Sequence, residues 1–203
     1  QLDFDLRFLQ HTNFGGEFMS WELQKRVREI AAKYQYEMNG QRHSVLTEQE
    51  VTNLCVERGT LNSAERTIVN RHIDITIEML ESLPFPKHLK NVPEYAGGHH
   101  EKMDGTGYPR KLKREQMSVQ ARIMAIADIF EALTANDRPY KKAKTLSESL
   151  RIMAFMARDQ HIDADLFRVF VEQGVYLEFA QQFLATEQID DVDNSKIFAL
   201  ASS

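Results

Sequence analysis

The chain has 203 residues, of which 42% are hydrophobic and 27% charged, and its net charge of −5 excludes a general basic surface for DNA. The longest apolar run, near residues 121–133, is interrupted by charges and too short to span a bilayer, so no membrane segment is expected. The single cysteine, Cys55, excludes an internal disulfide, and we expect a reducing, cytoplasmic location.

The spacing of apolar residues predicts helices throughout the chain and no sustained strand, so we expect an all-α fold. The predicted helices cover residues 20–38, begin again at Thr47, and then cover 62–83, 118–135 and three segments after residue 147. Side chains that can accept a backbone N–H precede several of these segments. The predicted N-caps are Ser20, Thr47, Asn62 or Ser63, and Ser118.

One histidine lies within the apolar stripe of the helix predicted over residues 62–83. We expect this stripe to face the core, because apolar residues recur along it at helical spacing. His72 is then either a core histidine satisfied by a hydrogen bond or a metal ligand that needs partners from elsewhere in the chain. The residues of the stripe are Ile68, His72, Ile75, Met79 and Leu83.

The densest group of constrained residues lies between positions 97 and 109, which read GGHHEKMDGTGYP. Three of the five prolines precede it within residues 83–98 and predict an extended approach. Imidazole is the commonest protein metal ligand near neutral pH, and glycine lets a backbone turn tightly or approach a ligand. The adjacent pair His99 and His100 therefore predicts a metal-binding loop.

Two carboxylates follow on the apolar helix predicted over residues 118–135. Asp128 and Glu131 lie one turn apart, and a carboxylate in so apolar a helix is costly unless it meets a cation, a metal or several donors. A salt bridge from Asp128 to Arg122 or Arg138 is one interpretation. A metal site is the other, because three histidines and a carboxylate suit a transition metal such as iron, manganese, zinc or nickel.

The motif HHEKMDGTGYP resembles the signature HHExxDGxGYP of the HD-GYP phosphodiesterases, an HD-superfamily group. Both flanks agree in order, RGTLNSAERTIVNRH before it and ARIMAIADIFEALTANDRPYKKAKTLSESL after it, so the resemblance covers about residues 50–190. It implies an HD-domain-like helical bundle that hydrolyses the bacterial second messenger cyclic di-GMP to pGpG or GMP. It also implies two or three divalent transition metals in a complete site, with iron or manganese expected.

The resemblance also implies roles for individual residues. The implied metal ligands are His72, His99, His100 and Asp128. The implied substrate-binding residues are Arg138 and Lys141, with Tyr108 able to stack on a base and Glu131 where the family usually has aspartate. The residues implied to shape the motif loop are Glu101, Asp104, Gly105, Gly107 and Pro109.

One part of the family pattern is missing from this sequence. The chain contains no His-Asp dipeptide, and the common spacing would place that pair near His43-Ser44. Either the pair has degenerated, or it lies upstream of Gln1, which is the explanation we expect because the chain does not begin with methionine. The general-acid lysine is then also expected outside this chain. An incomplete bundle of this kind seats one metal at most, so we expect the isolated chain to be inactive.

These considerations divide the chain into three predicted parts. Residues 1–50 are an extra helical segment and the end of an insertion, residues 51–190 are the C-terminal portion of the HD-GYP core, and residues 191–203 are a flexible tail. A second hypothesis follows from the missing pair. In that alternative the chain is a non-catalytic signalling module that binds a cyclic nucleotide or a partner protein, such as a diguanylate cyclase with its GGDEF domain.

Overall fold

The computed structural model describes residues 1–14, 18–136 and 143–202. Helices dominate these ranges, which confirms the predicted all-α class, and a single short antiparallel hairpin accompanies them. No described helix combines the length and the apolar character needed to cross a bilayer. The strands are β1 (Gln35–Met38) and β2 (Gln41–Ser44). The helices are α1 (Leu2–Asn13), α2 (Trp21–Lys33), α3 (Glu48–Leu54), α4 (Ser63–Asn70), α5 (His72–Glu81), α6 (Val92–Gly97), α7 (Val119–Thr134), α8 (Leu146–Arg158), α9 (Ala164–Glu172), α10 (Val175–Phe183) and α11 (Asn194–Ser202).

The chain divides into two compact units, Gln1–His72 and the residues from Ile73 onward. In the first unit, α2 buries Val27 and Ile30. The carboxylate of Asp5 on α1 accepts hydrogen bonds from Lys33 and Tyr34, at 3.0 and 2.9 Å. These bonds hold the pKa of Asp5 below its usual range. Asp5 therefore fastens α1 to the end of α2.

The helix predicted over residues 20–38 ends at Lys33, and residues 35–38 form the first strand of the hairpin instead. The turn is Asn39-Gly40, and both residues have positive φ angles, 53° and 76°. A two-residue turn with both φ angles positive matches the right-handed twist of paired strands, which is why Asn-Gly favours hairpins. The Asn39-Gly40 dipeptide was therefore a sequence signal for the hairpin that the predicted helix over residues 20–38 did not take into account.

The segment predicted as one helix over residues 62–83 is two helices, α4 and α5, separated at Arg71. The predicted Asn62 cap is confirmed, since its side chain accepts from the backbone N–H of Glu65. The predicted buried stripe is wrong. Helix α5 buries Ile73 and Ile77 instead, and the stripe positions Ile68, Ile75, Met79 and Leu83 are 70%, 60%, 56% and 48% exposed. Because α5 is apolar on opposite faces, its sequence did not decide which face is buried.

The proline-rich approach to the histidine pair is also helical in part. A 3₁₀ turn covers Lys87–Leu89, and α6 follows with Pro93 in its first turn. Proline is tolerated there because the first N–H groups of a helix have no partner within the helix. The prediction of an extended path over residues 83–98 was therefore wrong for its second half.

The core of the second unit lies among α7 to α11. It includes Leu150, Met153, Phe167, Ala180 and Ile197, all at most 5% exposed. Ile197 belongs to α11, so a packed helix stands where the sequence predicted a flexible tail over residues 191–203. Helix α7 begins at the predicted cap Ser118. The apolar residues of α7 cover more of its circumference than the fold buries. Val119 and Ile123, for example, remain about half exposed.

Candidate metal centre

Three predicted ligands come together at the start of α5 and the end of α6. One ring nitrogen from each of His72, His99 and His100 lies within 4.8 Å of the other two, and this is the group of possible metal ligands that the described residues form. His72 is exposed, and His99 and His100 are half-buried. The unit division falls directly after His72, which is the first residue of α5. Three imidazoles in this arrangement fit a divalent transition metal.

Hydrogen bonds select the tautomer of two of these rings. The Nδ1 atom of His99 lies 2.6 Å from the carbonyl oxygen of Ala96, and Nδ1 of His72 makes a short contact with the carbonyl of Val69. A carbonyl oxygen can only accept, so Nδ1 is the protonated nitrogen in each ring. The lone pair is then on Nε2, the nitrogen with which each ring can ligate a metal, and the ring orientation is fixed.

The two glycines before the histidines bring their backbone close to two helices. A Cβ atom on Gly97 would lie 2.7 Å from Cγ1 of Ile77 on α5, and one on Gly98 would lie 2.8 Å from the Cβ of Ala121 on α7. Real Cβ atoms do not approach other carbon atoms this closely, so a side chain at either position would force its neighbour to shift. The glycine pair therefore places the histidines against the helices that carry His72 and Asp128.

The loop after the histidines folds around a buried carboxylate. Glu101 is 1% exposed and accepts backbone hydrogen bonds from Arg110 and Leu112, at 2.7 and 2.9 Å. A Cβ atom on Gly107 would lie only 2.4 to 2.6 Å from backbone atoms of Glu101 and Lys102. Glu101 is thus satisfied by the loop itself and organises it.

Asp104 and Gly105 form the turn of this loop. The Asp104 carboxylate accepts from the backbone N–H and the hydroxyl of Thr106, both at 2.8 Å. These bonds keep the pKa of Asp104 below its usual range. Gly105 has a φ angle of 82°, in the left-handed region that glycine adopts without strain. Both residues shape the turn rather than join the histidine group.

Tyr108 lies directly against the histidines. Its ring stacks on His100 with centroids 4.9 Å apart, and its backbone N–H donates to the His100 carbonyl. Pro109 follows through a cis peptide bond. Burial, together with the negative charge of Asp128, raises the pKa of Tyr108. The phenol therefore stays protonated near neutral pH and can donate a hydrogen bond.

The carboxylates of α7 lie outside the three-histidine group. Asp128 and Glu131 are both exposed. Arg122, one of the two salt-bridge partners considered for Asp128, donates to Asp163 instead, so that interpretation is wrong for Arg122. The implied substrate residues Arg138 and Lys141 lie outside the described residues.

Sequence reasoning did not identify the ion pair beside this loop. The side chain of Asp163 is fully buried and accepts from both Arg122 on α7 and Arg114, whose Nε lies 2.9 Å away. It also caps α9 by accepting from the N–H groups of Asp165 and Leu166. Arg114 donates its own backbone N–H to Met103 within the motif loop. An aspartate before an apolar periodic segment indicates an N-cap. The neighbouring sequence does not indicate that Asp163 also pairs with two distant arginines.

A model of the HD domain matches residues 47–166 of the chain, which is more than half of it. The chain belongs to the HD domain family. Its curated relatives include a 3'3'-cGAMP-specific phosphodiesterase of Vibrio cholerae, 42% identical over 105 residues. A cyclic di-GMP phosphodiesterase of Pseudomonas aeruginosa is 40% identical over 119 residues, and a probable cyclic di-GMP phosphodiesterase of V. cholerae is 34% identical over 141 residues.

These alignments cover much of this chain but little of each relative. They span 51%, 58% and 66% of the chain, and 22%, 28% and 32% of the respective relatives. The chain therefore spans between about a fifth and a third of the length of the curated relatives that it matches.

Proposed function

We propose that this chain is the C-terminal portion of a metal-dependent phosphodiesterase domain of the HD-GYP subtype, acting on cyclic di-GMP. The observation that carries the proposal is the group formed by His72, His99 and His100 within the signature HHEKMDGTGYP. HD-domain membership and the phosphodiesterase names of several relatives support it.

The histidines hold the metal in this proposal, and iron or manganese is the expected ion. A divalent transition metal held by these three histidines would polarise a phosphoryl oxygen and would supply a hydroxide nucleophile near neutral pH. The carbonyls of Val69 and Ala96 orient the rings of His72 and His99 for that role. Asp128 is the proposed carboxylate ligand, and Tyr108, stacked on His100, donates to substrate phosphate or stacks on a base.

The remaining groups bind the dinucleotide in this proposal. Arg138 and Lys141 supply positive charge to the two phosphates, and Glu131 accepts from a base or ribose. The products are pGpG or GMP, and diguanylate cyclase (GGDEF) domains are candidate partners.

Exposed apolar faces support the view that further protein covers this centre. Ile75 and Met79 follow His72 at spacings of three and seven residues and so lie on its face of α5, 60% and 56% exposed. Met124, four residues before Asp128 on α7, is 42% exposed. Neighbouring exposed apolar side chains such as Ile75 and Met79 are typical of a surface that another protein segment covers. We propose that the other half of the domain packs on these faces and brings the His-Asp pair and the general-acid lysine.

Metal binding by the chain itself is the first test. The 203-residue chain is expected to bind one Mn²⁺ per molecule, and His99→Ala is expected to weaken that binding by about a hundredfold or more, because it removes one of three nitrogen ligands. Isothermal titration calorimetry measures both affinities. His88→Ala, which replaces an exposed histidine outside the group, is the matched control. Equal Mn²⁺ affinity in the His99→Ala variant and the wild type would contradict the site.

Measuring turnover distinguishes the proposed phosphodiesterase from the alternative, a non-catalytic binding module. The full-length protein that contains this chain is expected to hydrolyse cyclic di-GMP with Mn²⁺ or Fe²⁺, and His99→Ala and Asp128→Ala are expected to abolish that hydrolysis. The isolated chain is expected to show no turnover, since it lacks a His-Asp pair. Chromatographic separation of pGpG and GMP measures the reaction.

The second candidate, a non-catalytic binding module, is favoured by one observation. No carboxylate joins the three histidines among the described residues. Binding of cyclic di-GMP by the full-length protein without hydrolysis would establish that role and overturn the enzyme proposal. Rapid turnover by the 203-residue chain alone would show that this chain already holds the residues needed for hydrolysis.

A further inference from the structure

The loop after the histidines, residues 101–113, is attached at two points to the segment between α8 and α9. The backbone N–H of Met103 donates to the carbonyl of Gln160 at 2.9 Å. The second attachment is the side chain of Arg114, directly after the loop, whose Nε atom donates to the Asp163 carboxylate at 2.9 Å. Arg114 also donates its backbone N–H to the Met103 carbonyl at 3.2 Å, so the two attachments are adjacent.

The segment between α8 and α9 offers acceptors in fixed positions. Its residue Ile162 is 1% exposed and belongs to the core of the second unit. The backbone N–H of His161 donates back to the Met156 carbonyl of α8 at 2.8 Å, which closes the end of that helix. The Asp163 side chain is fully buried and caps α9. The loop is therefore attached to a packed part of the second unit.

Hydrogen bonds within the loop connect Arg114 to the histidine pair. The backbone N–H of Leu112, two residues before Arg114, donates to the Glu101 carboxylate at 2.9 Å, and Glu101 directly follows His100. The backbone N–H of Tyr108 donates to the His100 carbonyl at 3.2 Å, and its ring stacks on the imidazole. A displacement of Arg114 therefore reaches His100 through the loop.

The same carboxylate also binds the helix that carries Asp128. Arg122 of α7 donates to Asp163, and the Arg122 side chain is only 14% exposed. Asp163 thus joins one guanidinium from α7 to another, that of Arg114, from the end of the loop. A guanidinium presents its N–H groups in a rigid plane, so such a pair fixes direction as well as distance.

We infer that Arg114 is a positioning residue for the metal centre. By pairing with Asp163 it holds the loop after the histidines in place, and through that loop it fixes His100 relative to α7. The inference deepens the proposed function and rests on it, because it takes His100 as a metal ligand. Arg114 acts on the metal through the loop.

Hydrogen exchange tests the positioning role without any metal. In the Arg114→Met variant, the amide protons of Met103, Tyr108 and Leu112 are expected to exchange about tenfold faster than in the wild type, as for the loss of about one hydrogen bond's net free energy. NMR measures these amides one by one. The result reports local opening of the loop, because these three amides donate to acceptors in or beside it.

Two variants are the controls for this measurement. Arg158→Met replaces an arginine of similar exposure, 39% against 43%, that pairs with Asp159 outside the loop, and is expected to leave loop exchange unchanged. Ile197→Val lowers stability from the core at α11, and is expected to speed only amides that exchange by unfolding of the whole unit. Wild-type exchange of the loop amides in Arg114→Met, or equal acceleration in Ile197→Val, would overturn the inference.

Mn²⁺ titration tests the connection to the metal centre. Arg114→Met is expected to weaken Mn²⁺ binding by the 203-residue chain about tenfold, as for a residue that orients a metal ligand. Arg114→Lys keeps the positive charge facing Asp163 and is expected to recover part of the loss. Ile197→Val is expected to keep the wild-type Mn²⁺ affinity, since it leaves the loop intact.

The outcomes separate this inference from the proposed function. Wild-type Mn²⁺ affinity in Arg114→Met, or the same loss of affinity in Ile197→Val, would overturn the positioning role while the metal site stands. If the wild-type chain binds no Mn²⁺, the metal assignment of His100 fails together with the proposed function. The hydrogen-exchange comparison then decides whether Arg114 positions the loop.

Discussion

Replacing Asp163 by alanine is expected to lower the free energy of unfolding by about 3–5 kcal/mol, because it leaves two guanidinium groups without their shared partner. The Asp163 side chain is fully buried between Arg114 and Arg122, and Arg122 is itself only 14% exposed. The same substitution removes the N-cap of α9, whose loss alone costs about 1 kcal/mol. Urea unfolding followed by circular dichroism measures the difference.

The neighbouring Asp165 is the matched control for this prediction. It pairs with the same Arg114, at 2.6 Å, but its side chain is 83% exposed. An exposed ion pair contributes about 0–1 kcal/mol, so Asp165→Ala is expected to have a small effect. Comparable losses in the two variants would show that burial of Asp163 is not the source of the stability.

The Asp163 pair also predicts how stability depends on pH. Burial works to raise the pKa of Asp163, but the hydrogen bonds from Arg114, the backbone of Leu166 and Arg122 outweigh it, so the pKa in the folded protein is lowered. A lowered carboxyl pKa contributes stability above the pKa of the unfolded state and loses it as pH falls through the folded value. Acid is therefore expected to destabilise the wild type more than the Asp163→Ala variant.

Gly98→Ala is expected to destabilise the second unit by about 1–3 kcal/mol through overpacking, and to weaken Mn²⁺ binding by the histidines. The added Cβ would lie 2.8 Å from the Cβ of Ala121 and 3.2 Å from the carbonyl oxygen of Glu94. The backbone must move away from α7 to make room. His99 and His100 follow directly in the chain, so the displacement reaches two of the three predicted ligands.

A compensating substitution makes this prediction specific. Ala121→Gly removes the atom that the new Cβ meets, so the double variant is expected to recover Mn²⁺ affinity, although a glycine within α7 itself costs about 1 kcal/mol. A double-mutant cycle on unfolding and on Mn²⁺ titration measures the coupling. If the losses of stability and of Mn²⁺ affinity in the two single variants simply add in the double variant, the contact between Gly98 and Ala121 does not position the histidines.

Features that depend on a few neighbouring residues were predictable from the sequence. Thr47, Asn62 and Ser118 accept from backbone N–H groups three residues later, which is a property of the local sequence alone. The same reasoning missed the hairpin at Asn39-Gly40, although its signal was present. It also missed α6, because prolines were taken to exclude a helix, whereas Pro93 lies in the first turn of one.

The histidine pair and its glycines marked the candidate site from the sequence alone, because few residue types combine metal-ligand nitrogen with freedom of the backbone. Tertiary structure decided what surrounds them. It selected Ile73 and Ile77 as the buried face of α5, joined Arg122 to Asp163 rather than Asp128, and brought the Gln188 amide to the carbonyls of Thr134 and Lys144. These contacts link residues that are distant in the chain. Each contact depends on how the helices pack together, and a local sequence pattern does not encode that packing.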